Sequence, residues 1–286
     1  MNAEIFEELG LQMPRTFAQL NEAILVLKQH GYIPFALGNV ERWPAAIFAH
    51  YLMDRFSDLD LINRIAQGEE GIGFQNEGYL RAFEQLESWA AEEVFGPSPN
   101  KLSTEEAVNL FTHGKAAMYL NGNWDITLFQ NEDAPLDFQN KVSVIPFPSI
   151  YAEGKQSMAG GYTIGVGLSS NLTDAKKEAA LGLMEAFYTE EVQERIVYEG
   201  LRIPSRWINF DSEKTGPIFT EMIKVMEESQ TSFVPYDNIL SPEVKRSFLR
   251  VVEEIIDGKI NAKEALEQLD ASYMQYWRLR QSYIED

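Results

Sequence analysis

The sequence predicts an α/β protein with open sheets, in which many helices surround a few short strands. Three observations predict it. The first half alternates helix-patterned stretches with short apolar runs bounded by glycine and proline. From Thr173 onward the pattern is almost wholly helical. The chain has 286 residues, near the length at which one hydrophobic core stops growing and a chain divides into two lobes.

The elements follow in order. Thr16 is placed to cap a helix with apolar positions Leu20, Ile24, Leu25 and Leu27, and Gly31 ends it. Tyr32 to Leu37 is a short strand. Trp43 opens an aromatic-rich helix to about Phe56. A helix over 76–95 gathers Tyr79, Leu80, Phe83, Leu86, Trp89 and Ala90 on one face, and Gly96 to Asn100 is a loop. Ser103 with Glu106 forms a capping box for a helix that ends at Gly114. Lys115 to Asn121, Val142 to Pro146 and Tyr162 to Gly167 read as further strands. Helices are expected over 174–188, 190–199, 217–228, 242–257 and 262–280. Ser241 caps the fourth of these, with Pro242 first and Gly258 just past its end. Asn261, with Glu264 three residues on, caps the last.

Composition excludes several functions. Lys plus Arg is 24 and Asp plus Glu is 44, giving a formal charge of −20. So acidic a surface repels phosphate backbones and anionic headgroups, which argues against nucleic-acid and peripheral membrane binding. There is no cysteine, hence no disulfide, thiolate metal site or cysteine nucleophile. No run approaches the ~20 apolar residues that span a bilayer. The first residues carry no basic or apolar signal segment.

Several ordered motifs resemble one family. Phe6-Glu7-Glu8-Leu9-Gly10-Leu11 with Pro14-Arg15-Thr16-Phe17 is similar to F-x-x-L-G-L-x-x-P-x-T-W, with Phe17 where tryptophan is usual. Glu106-Ala107-Val108, Phe111, Gly114 to Met118 and Gly122-Asn123-Trp124 resemble E-A-V…F…G-K-A-A-M…G-x-W. Pro146-Phe147-Pro148, Gly160-Gly161, Gly200…Ile203-Pro204 and Gly258…Glu264-Ala265-Leu266 follow in place. The family is that of the extracellular solute-binding proteins of ABC importers, the maltose-binding-protein-like sugar binders.

The resemblance implies a periplasmic-binding-protein-like (type II) two-lobe fold. It places 1–160 and 213–286 in the C-lobe and leaves 161–212 as an N-lobe remnant. The family's earlier stretch, with its signal peptide and most N-lobe strands, has no counterpart here, so the chain is expected to lack an N-terminal segment. The remnant is then expected to expose apolar surface and to favour self-association. The implied partners are a carbohydrate and the ABC permease subunits. The implied location is extracellular, membrane-anchored as a lipoprotein or periplasmic. Binding is expected to proceed by hinge closure without chemistry, weakly in this chain, and with no cofactor or metal.

Sugar binding needs flat aromatic rings for pyranose C–H faces and planar polar groups for hydroxyls. Trp124 follows a strand and a glycine turn among Asn121, Asn123 and Asp125, and in the family the Gly-x-Trp tryptophan faces the ligand. Its plain alternative is a core tryptophan. The loop Gly38 to Pro44 offers Asn39, Glu41 and Arg42 for hydroxyls and Trp43 for stacking, at the carboxyl end of a strand where open sheets bind ligands. Its alternative is a solvated loop anchored by Trp43. Gly160 and Gly161 permit close backbone approach or a hinge, with Tyr162 beside them. Tyr236-Asp237 and Arg202 are weaker candidates, with surface loop residues as their plain alternative. Trp89 and Trp277 lie in helical stripes.

Few residues point to an enzyme. His30, His50 and His113 have no metal-ligand spacing, and His30 and His113 suit helix C-termini. Neither a phosphate loop nor a nucleophile elbow is present. The alternative is a glycosidase using two carboxylates ~5–9.5 Å apart. A third reading is an interaction scaffold.

Overall fold

The computed structural model describes residues 1–58, 60–129, 134–154, 157–160, 165–206, 208–229 and 231–285. The chain divides into two compact units. The larger holds Met1–Asn121, Ile145–Gly161 and Ser229–Asp286. The smaller holds Gly122–Val144 and Tyr162–Glu228, and so contains 162–212 together with 122–144 and 213–228.

In the larger unit the helices are α1 (Ala3–Glu8), α2 (Phe17–Gln29), α3 (Trp43–Phe56), α4 (Leu61–Gln67), α5 (Glu77–Ala91) and α6 (Thr104–Thr112). The smaller unit supplies α7 (Asp174–Phe187), α8 (Glu190–Tyr198) and α9 (Ser212–Glu228). The larger unit closes with α10 (Pro242–Ile256) and α11 (Ala262–Glu285). Local chemistry sets most of these bounds. Thr16 and Gln19 form a reciprocal capping box on α2, and Ser103 and Glu106 do so on α6. Ser241 accepts from the Val244 N–H at the start of α10. Asn261 and Glu264 exchange bonds of 3.0 and 2.9 Å ahead of α11. α9 is interrupted at Gly216, where φ is 79°, so its regular part begins at Pro217 as the sequence suggests. His30 and His113 are the C-cap residues of α2 and α6, and each ring Nδ1 lies 2.8 and 3.0 Å from a carbonyl four residues back.

Strands β1 (Ile33–Ala36) and β2 (Ala116–Tyr119) pair in parallel, with Ala36 opposite Tyr119. Strands β3 (Met158–Ala159) and β4 (Ser232–Phe233) form a second parallel pair. Two expectations change. Val142 to Pro146 forms no strand. Instead the Val144 N–H donates to the Glu221 carboxylate at 2.8 Å, so a side chain takes the place of a neighbouring strand. Residues 162–164 of the expected strand at 162–167 lie outside the described residues, and Gly165 to Gly167 carry no regular structure. Leu25 falls off the buried stripe of α2 and is 55% exposed.

The core of the larger unit is aromatic. Phe17 stacks on Trp89 at 6.0 Å and meets Phe56 and Phe147 edge-on. α3 runs through this core and is buried almost all round, from Pro44 to Arg55. A helix with no solvent face must be apolar or must pair its charges internally. In α3 it does both.

Candidate functional site

Because β1 and β2 are parallel neighbours in register, their carboxyl ends lie at the same edge of the sheet. The chain leaves β1 through Leu37 and Gly38 into the loop that opens α3. It leaves β2 through Leu120 and Asn121. Strand-end loops of this kind form ligand crevices in open α/β sheets.

The loop after β1 is built by its neighbours. The Asn39 and Val40 N–H groups donate to the carbonyls of Pro99 and Leu102, each at 3.0 Å. Asn39 is buried. Its Oδ1 accepts from the Ala45 N–H at 2.9 Å, satisfying a free donor in the first turn of α3, and its Nδ2 donates to Asn100 Oδ1 at 2.5 Å. Asn100 in turn donates to the Glu253 carbonyl and to Asp257. Both polar ends of Asn39 are therefore taken by the protein, which makes it a support for the loop rather than part of its surface. Asn39→Ala is expected to cost about 2 kcal/mol, because it orphans the buried Ala45 N–H and the half-buried Asn100 amide oxygen; urea unfolding monitored by far-ultraviolet dichroism checks this.

The outward residues of the loop are Val40, Glu41 and Arg42, with Trp43 half-buried at the first position of α3. Arg42 adopts φ 66° and its Nε pairs with Glu253 at 2.8 Å. Glu41 accepts from the Thr104 hydroxyl at 3.2 Å. These contacts hold the two side chains in place while leaving them exposed. Asn121, partly buried after β2, donates to the Tyr119 hydroxyl at 2.6 Å, and Tyr119 stacks on Phe111.

In the smaller unit, Asn123–Phe129 is a 3₁₀ helix. Trp124 stands on it with 40% of its surface exposed, unusual for so large an apolar side chain. Gly122 is what permits this pose. A Cβ at Gly122 would come within 2.2 Å of the Trp124 ring, so the indole lies directly against the glycine backbone. The Asp125 N–H donates to the Gly122 carbonyl at 3.2 Å, and the Asp125 side chain turns inward, 6% exposed. Asn123 is half-buried beside Trp124 in sequence.

Gly160 ends β3 and donates to the Phe233 carbonyl at 2.9 Å, while Gly161 and Tyr162 lie outside the described residues. Tyr236 is in the core with no exposed surface, packed against Phe233 and His50. Burial holds its hydroxyl well above the ordinary tyrosine range. That position removes Tyr236 from any ligand surface; a tyrosine after a proline turn reads as exposed only until the fold closes over it. Asp237 is likewise buried and pairs with Lys245 at 2.8 Å. A groove of about 500 Å³ between Gln75 and α11 and a cavity of about 220 Å³ near Pro97 are lined by none of the candidates. Among the described residues no group of three His, Asp or Glu side chains is placed to hold a metal ion, and no helix is long and apolar enough to cross a membrane.

One polar cluster escapes the sequence reading. The Arg55 guanidinium is fully enclosed and pairs with Asp54 on the same helix. It also donates to the carbonyls of Phe147, Pro148 and Ser157 and to the Ser157 hydroxyl. The available signal is an Asp-Arg pair inside the otherwise apolar run Tyr51 to Phe56.

The fold is that of a solute-binding protein of the type II, two-lobe kind. A solved chitin oligosaccharide binding protein matches with a TM-score of 0.85 at 22% identity, over 96% of this chain and 67% of that one. A sugar transporter from Bacillus licheniformis in complex with stachyose matches at 0.75 and 18%, over 96% and 70%. A Streptococcus pneumoniae solute-binding protein in complex with the blood group A-trisaccharide matches at 0.67 and 17%, over 94% and 67%. The model of the bacterial extracellular solute-binding protein family matches residues 1–194, and the chain belongs to that family. It is a family of transport binding proteins. An uncharacterized ABC transporter extracellular-binding protein of Pyrococcus horikoshii is 27% identical over 126 residues, 43% of this chain. The matched stretch spans about a quarter, 27%, of that relative's length.

Proposed function

We propose that this chain binds a carbohydrate, in the size range of an oligosaccharide, for delivery to an ABC permease outside the cytoplasm, and leaves it chemically unchanged. The observation that carries this reading is Trp124. It is a large flat ring, 40% exposed, held against a glycine backbone just past the carboxyl end of β2. A pyranose ring presents a face of C–H groups that such a surface desolvates, and an indole quadrupole favours those slightly positive hydrogens. Asn121 and Asn123 flank it in sequence with amides that donate and accept in pairs, which suits vicinal hydroxyls. In the larger unit Glu41, Arg42 and Trp43 offer two charged side chains beside a ring. The solved relatives, named for or bound to oligosaccharides, point to the same ligand class.

Isothermal calorimetry with chito-oligosaccharides, xylo-oligosaccharides, stachyose and the blood group A-trisaccharide tests the proposal, with each sugar recovered afterwards for mass analysis. Saturable heat with at least one sugar, recovered at its original mass, is the expected result. A shortened product would replace the binding reading by the glycosidase one. No heat from any sugar, but saturable heat with amino acids or other small solutes, would overturn the ligand class.

A further inference from the structure

The chain passes between its two units at 121/122, 144/145, 161/162 and 228/229. Two of those passages bound the segment 145–161, and a third opens the segment that becomes β4. Ser149 is tied to Arg15 and Phe17 through backbone bonds, and the side chains that hold both limbs of 145–161 lie on the last turns of α3. Arg55 has five N–H donors, and all five are engaged. Nε donates to the Pro148 carbonyl at 3.0 Å and Nη2 to the Phe147 and Ser157 carbonyls at 2.9 Å each. Nη1 donates to the Ser157 hydroxyl at 2.9 Å and to Asp54. The Ser157 hydroxyl in turn donates to Asp54 at 2.5 Å. One guanidinium therefore grips both limbs of the 145–161 excursion, near its start at Phe147-Pro148 and near its end at Ser157.

Tyr51, one helical turn earlier, extends the grip. Its hydroxyl accepts from the Ala159 N–H at 3.0 Å, and its ring stacks on Phe147 at 4.7 Å and meets Phe233 edge-on. β3 then carries the anchorage to β4, through Met158 N–H to the Thr231 carbonyl and Gly160 N–H to the Phe233 carbonyl. The other end of α3, about 20 Å away, carries Arg42 and Trp43.

We propose that Asp54, Arg55, Ser157 and Tyr51 form an anchor that fixes the larger-unit ends of three of the four chain passages, with Arg55 as its positioning residue. The setting is the two-unit binding protein proposed above, but the anchor is a property of the larger unit alone. Geometry favours this role over one of general stability. Isolated stability is better served by apolar packing than by a buried ion pair, whereas four bonds to chain 92 to 102 residues distant in sequence specify where that chain lies.

The test is native-state hydrogen exchange on the full chain without ligand, so its outcome does not depend on the carbohydrate reading. In Arg55→Met the amides of Met158, Ala159 and Gly160 are expected to exchange about tenfold faster or more, while those of Leu20 in α2 and Val251 in α10 keep their protection. Arg55→Lys, which keeps the charge but not the planar donor fork, is expected to leave the three amides fast. Ser157→Ala, a smaller change, is expected to accelerate the same amides and decides the matter if Arg55→Met does not fold. Equal acceleration at Leu20 and Val251, or unchanged exchange at 158–160 in Ser157→Ala, overturns the proposal.

Discussion

Gly38→Ala is expected to destabilise the larger unit by about 3 kcal/mol or more, and to displace the loop that carries Glu41, Arg42 and Trp43. A Cβ at this position would lie 1.9 Å from the Ser103 carbonyl oxygen and 2.4 Å from its carbon. The obstacle is backbone, so no side chain can rotate away. Neither partner is free to retreat. The strand before Gly38 is in register with β2, and the backbone after it bonds to Pro99 and Leu102. Ser103 is itself the N-cap of α6. Thermal unfolding checks the loss. A melting temperature equal to that of the unmodified protein would mean that the loop does not approach Ser103 as described.

Acidification is expected to reveal His50. It is buried and faces Asp237 at 3.5 Å, with Lys245 behind that carboxylate and Phe248 stacked on the ring at 5.3 Å. Burial depresses its pKa to about 4, against an upward pull from Asp237 and a further downward push from Lys245. The sign follows. The unfolded chain takes up a proton near the ordinary histidine value of about 6.5, and the folded chain resists until about 4. The stabilisation is complete above pH 6.5 and is lost as pH falls towards 4, by roughly 3 kcal/mol at the limit. His50→Gln keeps a polar group opposite Asp237 and removes the titration. Urea midpoints for both proteins at pH 7, 6 and 5 isolate the difference, because the carboxylates common to both cancel. Parallel curves would show that His50 does not stay neutral in the fold.

Local signals explain how far sequence reasoning reached. Capping boxes at Thr16 and Ser103, Ser241 before Pro242 and glycines past the helix ends state helix bounds in a few neighbouring residues, and the structure follows them. α1 and α4, with six and seven residues, are too short for a periodic pattern. Val142 to Pro146 has strand composition, but composition does not supply a partner. The site divides in the same way. Trp124 stands out in the sequence as the tryptophan of a Gly-x-Trp turn among short polar residues, while its exposure, against the alternative of a core tryptophan, is read from the structure. The support role of Asn39, the burial of Tyr236 and the grip of Arg55 depend on residues 61 to 102 positions away or on rings from other helices, which no local window contains.

The central claim is that the exposed ring of Trp124 is a sugar platform. It is tested most directly by titrating intrinsic tryptophan emission with whichever sugar gives heat by calorimetry, in the unmodified protein and in Trp124→Ala. A ring that stacks on a bound sugar contributes about 2 kcal/mol or more at a hot spot, so the variant should lose affinity by roughly thirtyfold and the saturable emission change with it. The same change at the same affinity in Trp124→Ala would contradict the account and place the ligand elsewhere.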